Sequence, residues 1–289
     1  MTELFSIRTT DQGAGDVFDA FFAGYRRAFT LPDEMEDREG FAACLTLNHG
    51  ARHSRLAAEF GPFRELCLTF HEPDGHMAGG ANFFALAPVE GPVTVNLNYI
   101  YVVAECRERG YLRRIVQAVA QAAAAAFDKS PNQVLIFIEQ NDPLRMSKQD
   151  QARDMAHSGM DQYERLAIWA RNGALVVDFP YVQPPLSPVL PPDRELVLSV
   201  IGHPGASLPA YVLHHHLRGF FGISVAKGAK LDASAREQLD RLAELQRSGQ
   251  PVSLIDPTPA LALPRPRIGE WPDFRTFARH AANQAPISS

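Results

Sequence analysis

The chain has 289 residues, of which 46% are hydrophobic and 21% are charged, and its formal net charge at pH 7 is −5. This composition is typical of a globular protein with a core of ordinary size. The acidic balance excludes a general nucleic-acid-binding protein, which would carry a basic excess. No window approaches the roughly 20 consecutive apolar residues of a membrane-spanning helix, so we expect no membrane association.

The cysteines and the first residues indicate a cytoplasmic protein. Cys44, Cys67 and Cys106 form no C-x-x-C pair, and an odd, sparse set of cysteines predicts a reducing compartment. The chain starts without a basic region followed by a long apolar run, so no signal peptide is expected.

The first half of the chain predicts helices and strands in turn. Asp16 is a plausible N-cap for a helix in which Val17, Phe21 and Ala28 share an apolar face, and Pro32 follows its end. A good turn sequence at 72–75 joins two apolar strands. The predicted elements here are a strand at 3–9, helices at 16–29 and within 36–47, strands at 64–71, 78–87 and 93–103, and a helix at 110–128.

The second half starts with a continuous apolar run at 134–138, which predicts a strand buried on both faces. The elements that follow are a polar loop or short helix at 143–160, a helix at 161–171, strands at 174–179 and 195–201, and helices at 208–221 and 233–248. Residues 251–268 are rich in proline, and 269–289 are weakly patterned. We predict a main domain over 1–202 and a partly helical C-terminal extension over 203–289, packed on that domain.

A cluster of arginines marks the start of the helix at 110–128. Its members are Arg107, Arg109, Arg113 and Arg114. Cations are unfavourable at a helix N-terminus, which already carries partial positive charge, and Glu105 and Glu108 offset only part of this. A phosphate or pyrophosphate docked on the free backbone N–H groups would explain the cluster. A solvated basic helix end is the alternative that stays open.

The order of these elements, together with two motifs, resembles the GNAT N-acetyltransferase superfamily over residues 1–202. The segment from Val102 to Leu112 is similar to the family's pyrophosphate-binding motif, Arg/Gln-x-x-Gly-x-Gly/Ala. Arg107 and Gly110 match that motif, whereas Leu112 replaces its last small residue. Residues 165–174 are similar to the family's fourth helix and the turn after it. Trp169 stands there in place of a tyrosine that often protonates the departing thiolate, and an indole cannot do so.

The resemblance implies an α/β (α+β) fold with a mixed, mostly antiparallel central sheet, splayed fourth and fifth strands, and helices on both faces. It also implies acetyl-CoA as co-substrate. The pantetheine arm would bond to the backbone from Ile100 to Val103, and the pyrophosphate would lie on N–H groups from Glu108 to Arg113. The cofactor-binding residues implied are Tyr101, Val102, Val103, Arg107, Glu108, Arg109, Gly110, Tyr111, Leu112, Arg113 and Asn141.

Three side chains are the predicted catalytic residues. Glu139 could accept the amine's proton, directly or through water, although a carboxylate at a strand end usually faces solvent. Tyr181 could protonate the sulfur, as could Tyr163, or each could simply pack as an aromatic ring. Asn98 could line the acceptor pocket with Asn96, two residues earlier on the same face of the strand. It could equally satisfy neighbouring backbone groups.

No metal site is expected. The segment from His71 to His76 is one residue too long for H-E-x-x-H, and Pro73 and Gly75 disfavour the helix that this motif needs. His214, His215 and His216 are adjacent in a predicted helix, where they point in different directions, so a solvent-facing or packing role is favoured. Glu105 is expected to tether an arginine.

The function predicted from the sequence is an N-acyltransferase that moves an acetyl or short acyl group from CoA to an amine of a small molecule or peptide. The first alternative is a non-catalytic protein of the same fold that binds CoA or a protein partner. The second alternative is a hydrolase that uses Glu139 and a histidine, but no sequence spacing of these residues supports it. The identity of the acceptor and the oligomeric state, a homo-oligomer included, are open.

Overall fold

The computed structural model describes residues 5–31, 35–186 and 190–284. The chain forms two compact units, the first of residues 1–136 with 222–229 and the second of residues 137–221 with 230–289. Pro32, residues 3 and 4 of the first predicted strand, and residues 285–289 of the predicted extension lie outside the described residues. The division into a domain over 1–202 and an extension over 203–289 stays a prediction.

The first unit is an antiparallel sheet with helices. Strands β1 to β4 pair in chain order, each antiparallel to the next. The elements are β1 (Ser6–Thr10), α1 (Asp16–Ala28), α2 (Arg38–Thr46), α3 (Gly50–Phe60), β2 (Phe63–His71), β3 (Met77–Leu86), β4 (Val93–Val102) and α4 (Tyr111–Ala125), and β5 (Val134–Asn141) begins in this unit.

Apolar periodicity explains most of these elements. In α1, Phe18, Phe21 and Tyr25 are buried, because residues three or four apart share one face of a helix. Helix α3 was not predicted, although its buried Leu56 and Phe60 have the same four-residue spacing.

The second unit holds the rest of β5 and the elements after it. Its strands follow the order β5-β7-β6-β9-β8, with β6 antiparallel to both β7 and β9. The elements are α5 (Lys148–Ser158), α6 (Gln162–Arg171), β6 (Leu175–Val177), β7 (Leu196–Ile201), β8 (Ser207–Leu208), α7 (Ala210–Gly219), α8 (Ala233–Arg247), β9 (Val252–Ile255), α9 (Thr258–Ala262) and α10 (Phe274–Gln284).

Helix α10 corrects the expectation of a weakly patterned end. Its residues Phe274, Phe277, Ala278 and Ala281 are buried in a cluster with apolar residues of the same unit. The N–H of Phe274 donates to Asp142 Oδ2 at 2.8 Å, and the N–H of Leu144 donates to Asp142 Oδ1 at 2.8 Å. Asp273 caps the helix locally, since its Oδ1 accepts the N–H of Thr276 at 2.7 Å. Asp142, which is 132 positions away from Phe274, is a second acceptor at the same helix end.

The predicted mixed, mostly antiparallel α/β fold with a helical C-terminal part is confirmed. The splay of the fourth and fifth strands stays a prediction. Within the described ranges, no helix has the length and apolar character needed to cross a membrane.

Candidate functional site

The turn between β4 and α4 leaves a helix N-terminus without a side-chain cap. After a short 3-10 turn at Ala104–Cys106, Glu108 and Gly110 have φ values of 63° and 75°, in the left-handed region. Gly110 is the N-cap residue and has no side chain, so it cannot cap the helix. The first turn of α4 contains no acidic residue. The first N–H groups of α4 therefore present their partial positive charge to any anion nearby.

The arginines around this turn differ in their contacts. Arg107 and Arg113 are exposed. The guanidinium of Arg114 lies 4.2 Å from the centre of the Phe5 ring. Arg109 Nη1 lies 3.4 Å from Glu72 Oε1. Glu72 is thus the carboxylate that tethers an arginine, whereas Glu105, expected in that role, has its Oε1 3.7 Å from His76 Nε2.

Some of the hydrogen-bonding groups at the end of β4 already have partners within the protein. The N–H of Val103 donates to Ala78 O at 3.0 Å. The Tyr101 side chain is buried and its hydroxyl donates to Phe21 O at 2.8 Å. Burial raises the pKa of this phenol well above its usual value. The Tyr101 hydroxyl and the Val103 N–H therefore already have hydrogen-bond partners within the protein. The predicted cofactor contacts of these two residues would use their other backbone groups.

A buried network, which we name the carboxyl–amide cluster, consists of Glu65, Asn82, Asn96 and Asn98 on β2, β3 and β4. Asn82 Nδ2 and Asn98 Nδ2 each donate to Glu65 Oε1 at 3.0 Å. Asn98 Nδ2 also donates to Asn82 Oδ1 at 2.9 Å, and Asn96 Nδ2 donates to Asn98 Oδ1 at 3.0 Å. Asn98 is partly exposed, whereas the other three side chains are buried.

A β-bulge places Asn98 in this cluster. Asn82 pairs with Tyr99 and Phe83 pairs with Leu97, so the register leaves Asn98 without an opposite residue on β3. A bulge bends its strand and turns a side chain in a direction that a regular ladder would not allow. Glu65 is held from the other side, since Asn48 Oδ1 accepts its N–H and Asn48 Nδ2 donates to its carbonyl, both at 2.8 Å.

Burial changes the acidity of Glu65. The residue is 4% exposed, and burial raises the pKa of its carboxyl to about 7. The hydrogen bonds from Asn82 and Asn98 and the charge of Lys227 lower this pKa by less than burial raises it. A carboxyl with this pKa holds appreciable amounts of both protonation states near neutral pH, as a group that transfers protons requires.

Asn96 and Asn98 were predicted from the sequence as candidate site residues, whereas Glu65 and Asn82 were not. The available signal was a lone glutamate at a core-facing position of the strand FRELCLTFH. A charged side chain on the apolar face of a strand needs partners. The partners come from two other strands, and only the strand order and the bulge bring them together.

In the second unit, the structure brings two of the predicted catalytic residues into contact. The Tyr181 hydroxyl donates to Glu139 Oε1 and lies 2.6 Å from Gln183 Oε1. Because the hydroxyl has one proton, it can donate to only one of the two at a time. Burial, together with the charge of Glu139, raises the pKa of Tyr181 well above its usual value. The phenol is therefore a neutral proton donor.

The remaining candidates have simpler surroundings. Asn141 ends β5 in the second unit and is partly exposed, and its contact with pantetheine stays a prediction. The ring of Tyr163 packs edge-on against Phe274, with centroids 6.2 Å apart. His216 is buried and stacked on Phe137 at 4.1 Å, and burial lowers its pKa to about 3. A packing role is therefore confirmed for His216.

No family model matches this sequence, and no curated protein does. Solved structures do match. The ribosomal-protein-S18-alanine N-acetyltransferase from Escherichia coli is 13% identical, with a TM-score of 0.36 over 68% of this chain and 93% of that chain. A Bacillus subtilis acetyltransferase in complex with CoA is 13% identical, with a TM-score of 0.33 over 68% and 98%. An aminoglycoside 6'-N-acetyltransferase complexed with coenzyme A is 13% identical, with a TM-score of 0.38 over 69% and 98%.

All three of these proteins are acetyltransferases by name. At such low identities and TM-scores, the likeness assigns neither an activity nor a substrate to this chain.

Proposed function

We propose that this protein is an acyl-CoA-dependent N-acyltransferase that moves an acetyl or short acyl group to an amine. The observation that carries the proposal is the start of α4, where a helix N-terminus without a side-chain cap or an acidic residue is flanked by four arginines. Such an arrangement is unfavourable by itself and becomes favourable when an anion binds. The pyrophosphate of CoA is an anion of the required charge.

The geometry of this turn supports the proposed pyrophosphate contacts. The N–H groups of Tyr111, Leu112 and Arg113 belong to the first turn of α4 and would donate to the phosphate oxygens. The left-handed backbone of Glu108 and Gly110 reverses the chain so that these groups are presented together. Arg107 and Arg113 add charge, and Arg109 would exchange its contact with Glu72 for a phosphate oxygen.

The carboxyl–amide cluster supplies a proton acceptor for the amine. An acceptor amine must lose a proton as it attacks the thioester carbonyl, and the departing thiolate must gain one. Glu65, with its pKa near 7, would take the first proton, directly or through a water molecule. The partly exposed Asn98 is the member of the cluster that an incoming amine would meet. The roles predicted for Glu139 as a proton acceptor and Tyr181 as a donor to sulfur belong to the second unit and stay separate predictions.

Calorimetric titration with CoA, followed by an assay of thiol release from acetyl-CoA over a panel of amines, tests the proposal. We expect CoA to bind and the double variant R107E/R109E to lose at least about 100-fold in affinity, since charged hydrogen bonds contribute about 1.5–3 kcal/mol each. The variant R8E/R26E, which changes the same charge on exposed arginines elsewhere in the unit, should bind like the wild type.

Three results would contradict the proposal. Unchanged CoA affinity in R107E/R109E would remove the pyrophosphate site, and the absence of CoA binding to the wild type would remove the acyl-CoA assignment. Binding without thiol release on any primary amine, polyamine or peptide of the panel would favour the non-catalytic alternative.

A further inference from the structure

We propose that Glu72, His76 and Cys106 form a binding site for one divalent metal ion such as zinc. One carboxylate oxygen, one imidazole nitrogen and the thiol sulfur of these residues all lie within 4.8 Å of one another. All three belong to the first unit. No sequence motif indicates this group, because Cys106 is far along the chain from the other two residues.

The backbone holds the two halves of the site in defined positions. Glu72 and His76 face each other across the turn between β2 and β3, where the N–H of Glu72 donates to His76 O at 2.8 Å and the N–H of Gly75 donates to Glu72 O at 2.9 Å. Cys106 lies in the 3-10 turn after β4, and its N–H donates to Val103 O at 2.9 Å. Both turns are thus closed by backbone hydrogen bonds before any ion binds.

The separations suit a tetrahedral ion. Cys106 Sγ lies 3.7 Å from Glu72 Oε2. Zinc bonds of about 2.3 Å to sulfur and about 2.0 Å to oxygen place two such ligands roughly 3.5 Å apart at a tetrahedral angle. His76 is exposed on its turn, so its ring can complete the approach with little cost. Glu105 Oε1 lies 3.7 Å from His76 Nε2, but Glu105 does not belong to the group of three ligands.

The two oxygens of Glu72 have separate roles in this arrangement. Oε1 accepts the Tyr111 hydroxyl at 2.5 Å and lies 3.4 Å from Arg109 Nη1. Oε2 is the oxygen turned toward the Cys106 thiol. A hydrogen bond to the outer oxygen of a carboxylate ligand fixes its orientation and is common around protein metal sites.

The ligand types select the metal. Thiolate and imidazole favour zinc, cobalt or iron, whereas magnesium and calcium require oxygen ligands in larger number. The Glu72 carboxylate and the Cys106 thiolate together also balance the charge of a divalent ion.

Titration of the full-length protein with Co²⁺ and with Zn²⁺, without CoA, tests the site. We expect one ion per chain, a thiolate-to-cobalt charge-transfer absorption, and no competition from Mg²⁺. His76→Ala should lower the affinity more than about 100-fold, the upper range for removal of a residue that only supports a ligand. Cys106→Ser should abolish the charge-transfer absorption. His280→Ala, an exposed histidine of α10, and Cys44→Ser are the matched controls and should behave like the wild type.

Three results would overturn the proposal. The first two are that the wild-type protein binds no Co²⁺ or Zn²⁺ at micromolar concentration, and that His76→Ala binds both ions as the wild type does. Cys106 is buried, so its replacement can impair folding. The titration of His76→Ala, at an exposed residue, is therefore the decisive test of the site. A charge-transfer absorption that persists in a folded Cys106→Ser variant would equally assign the ion to another cysteine.

Discussion

Asn98 Nδ2 donates to Glu65 Oε1 at 3.0 Å and so joins two residues 33 positions apart. The bulge on β4 makes this contact, since it leaves Asn98 without an opposite residue in the β3–β4 register. One amide therefore connects the buried Glu65 carboxyl to the partly exposed edge of the carboxyl–amide cluster. The contact also lowers the pKa of Glu65 against the larger effect of burial.

Removal of the Asn98 amide should raise the pKa of Glu65. In Asn98→Ala the carboxylate loses a donor that stabilises its charged form, so the pKa rises above about 7 by up to roughly 1 unit, the equivalent of one hydrogen bond. Carbon-13 NMR titration of the Glu65 side chain measures the shift. Asn132→Ala, an exposed position in the same unit, should leave the titration unchanged, and an unchanged pKa in Asn98→Ala would contradict the assigned contact.

Glu65→Gln should remove the proton acceptor while keeping the cluster. The new amide oxygen can still accept from Asn82 and Asn98, so folding is preserved. We expect the wild-type kcat/KM to rise with pH through about 7 as Glu65 ionises, and the variant to lose roughly 100-fold or more together with this dependence. The pH profile of thiol release is the measurement. Glu90→Gln, on an exposed loop, is the control, and a profile in Glu65→Gln like that of the wild type would exclude Glu65 as the base.

The same carboxyl should make stability depend on pH. The pKa of Glu65 is raised from 4.5 to about 7 in the folded state, so between these values the folded protein binds more protons than the unfolded chain. The free energy of unfolding therefore falls as the pH rises from about 4.5 to about 7, by up to roughly 3 kcal/mol.

Urea unfolding of the wild type and Glu65→Gln at pH 5 and pH 8 checks this sign. The variant should lose less stability over the interval, because other groups such as Asp142, whose pKa is also raised to about 6, contribute equally to both proteins. Equal pH dependence in the two proteins would show that Glu65 titrates normally.

Tyr181→Phe tests whether the phenol acts in the reaction or only in packing. If it protonates the sulfur, kcat should fall roughly 100-fold with little change in KM, as expected for a lost general acid. The variant also removes a buried donor to Glu139, so the free energy of unfolding should fall by about 1–3 kcal/mol. Steady-state kinetics and urea unfolding separate the two effects. Tyr211→Phe, at a residue that is 45% exposed, is the control, and a loss of stability without a loss of kcat would assign Tyr181 to structure alone.

Asp142→Ala should weaken the C-terminal helix α10. The substitution leaves the buried N–H groups of Leu144 and Phe274 without their carboxylate acceptor, at a cost of about 1–3 kcal/mol for each group. Circular dichroism should show less helix and thermal unfolding a lower midpoint. Asp240→Ala on the exposed side of α8 should change neither, and a stable, fully helical Asp142→Ala would contradict the capping role.

The sequence by itself determined most of the helices and strands of the first unit. The helix predicted at 16–29 is Asp16–Ala28, and the hairpin predicted at 64–71 and 78–87 is Phe63–His71 with Met77–Leu86. Apolar periodicity and turn residues act over a few positions, so one sequence is enough to read them. The basic turn before α4 was predicted for the same reason, since its charges and glycine are neighbours in the chain.

Only the tertiary structure decided which side chains meet. Glu65 meets its partners only through the strand order and the bulge at Asn98, and Cys106 meets Glu72 and His76 only through the hairpin that carries them. The N–H of Phe274 in α10 likewise donates to Asp142 from far along the chain. Periodicity reports which residues of one element share a face, but it carries no information about the element that packs against that face. Contacts between distant segments are selected by the free energy of the whole fold, and these contacts set the pKa of Glu65 and assemble the metal ligands.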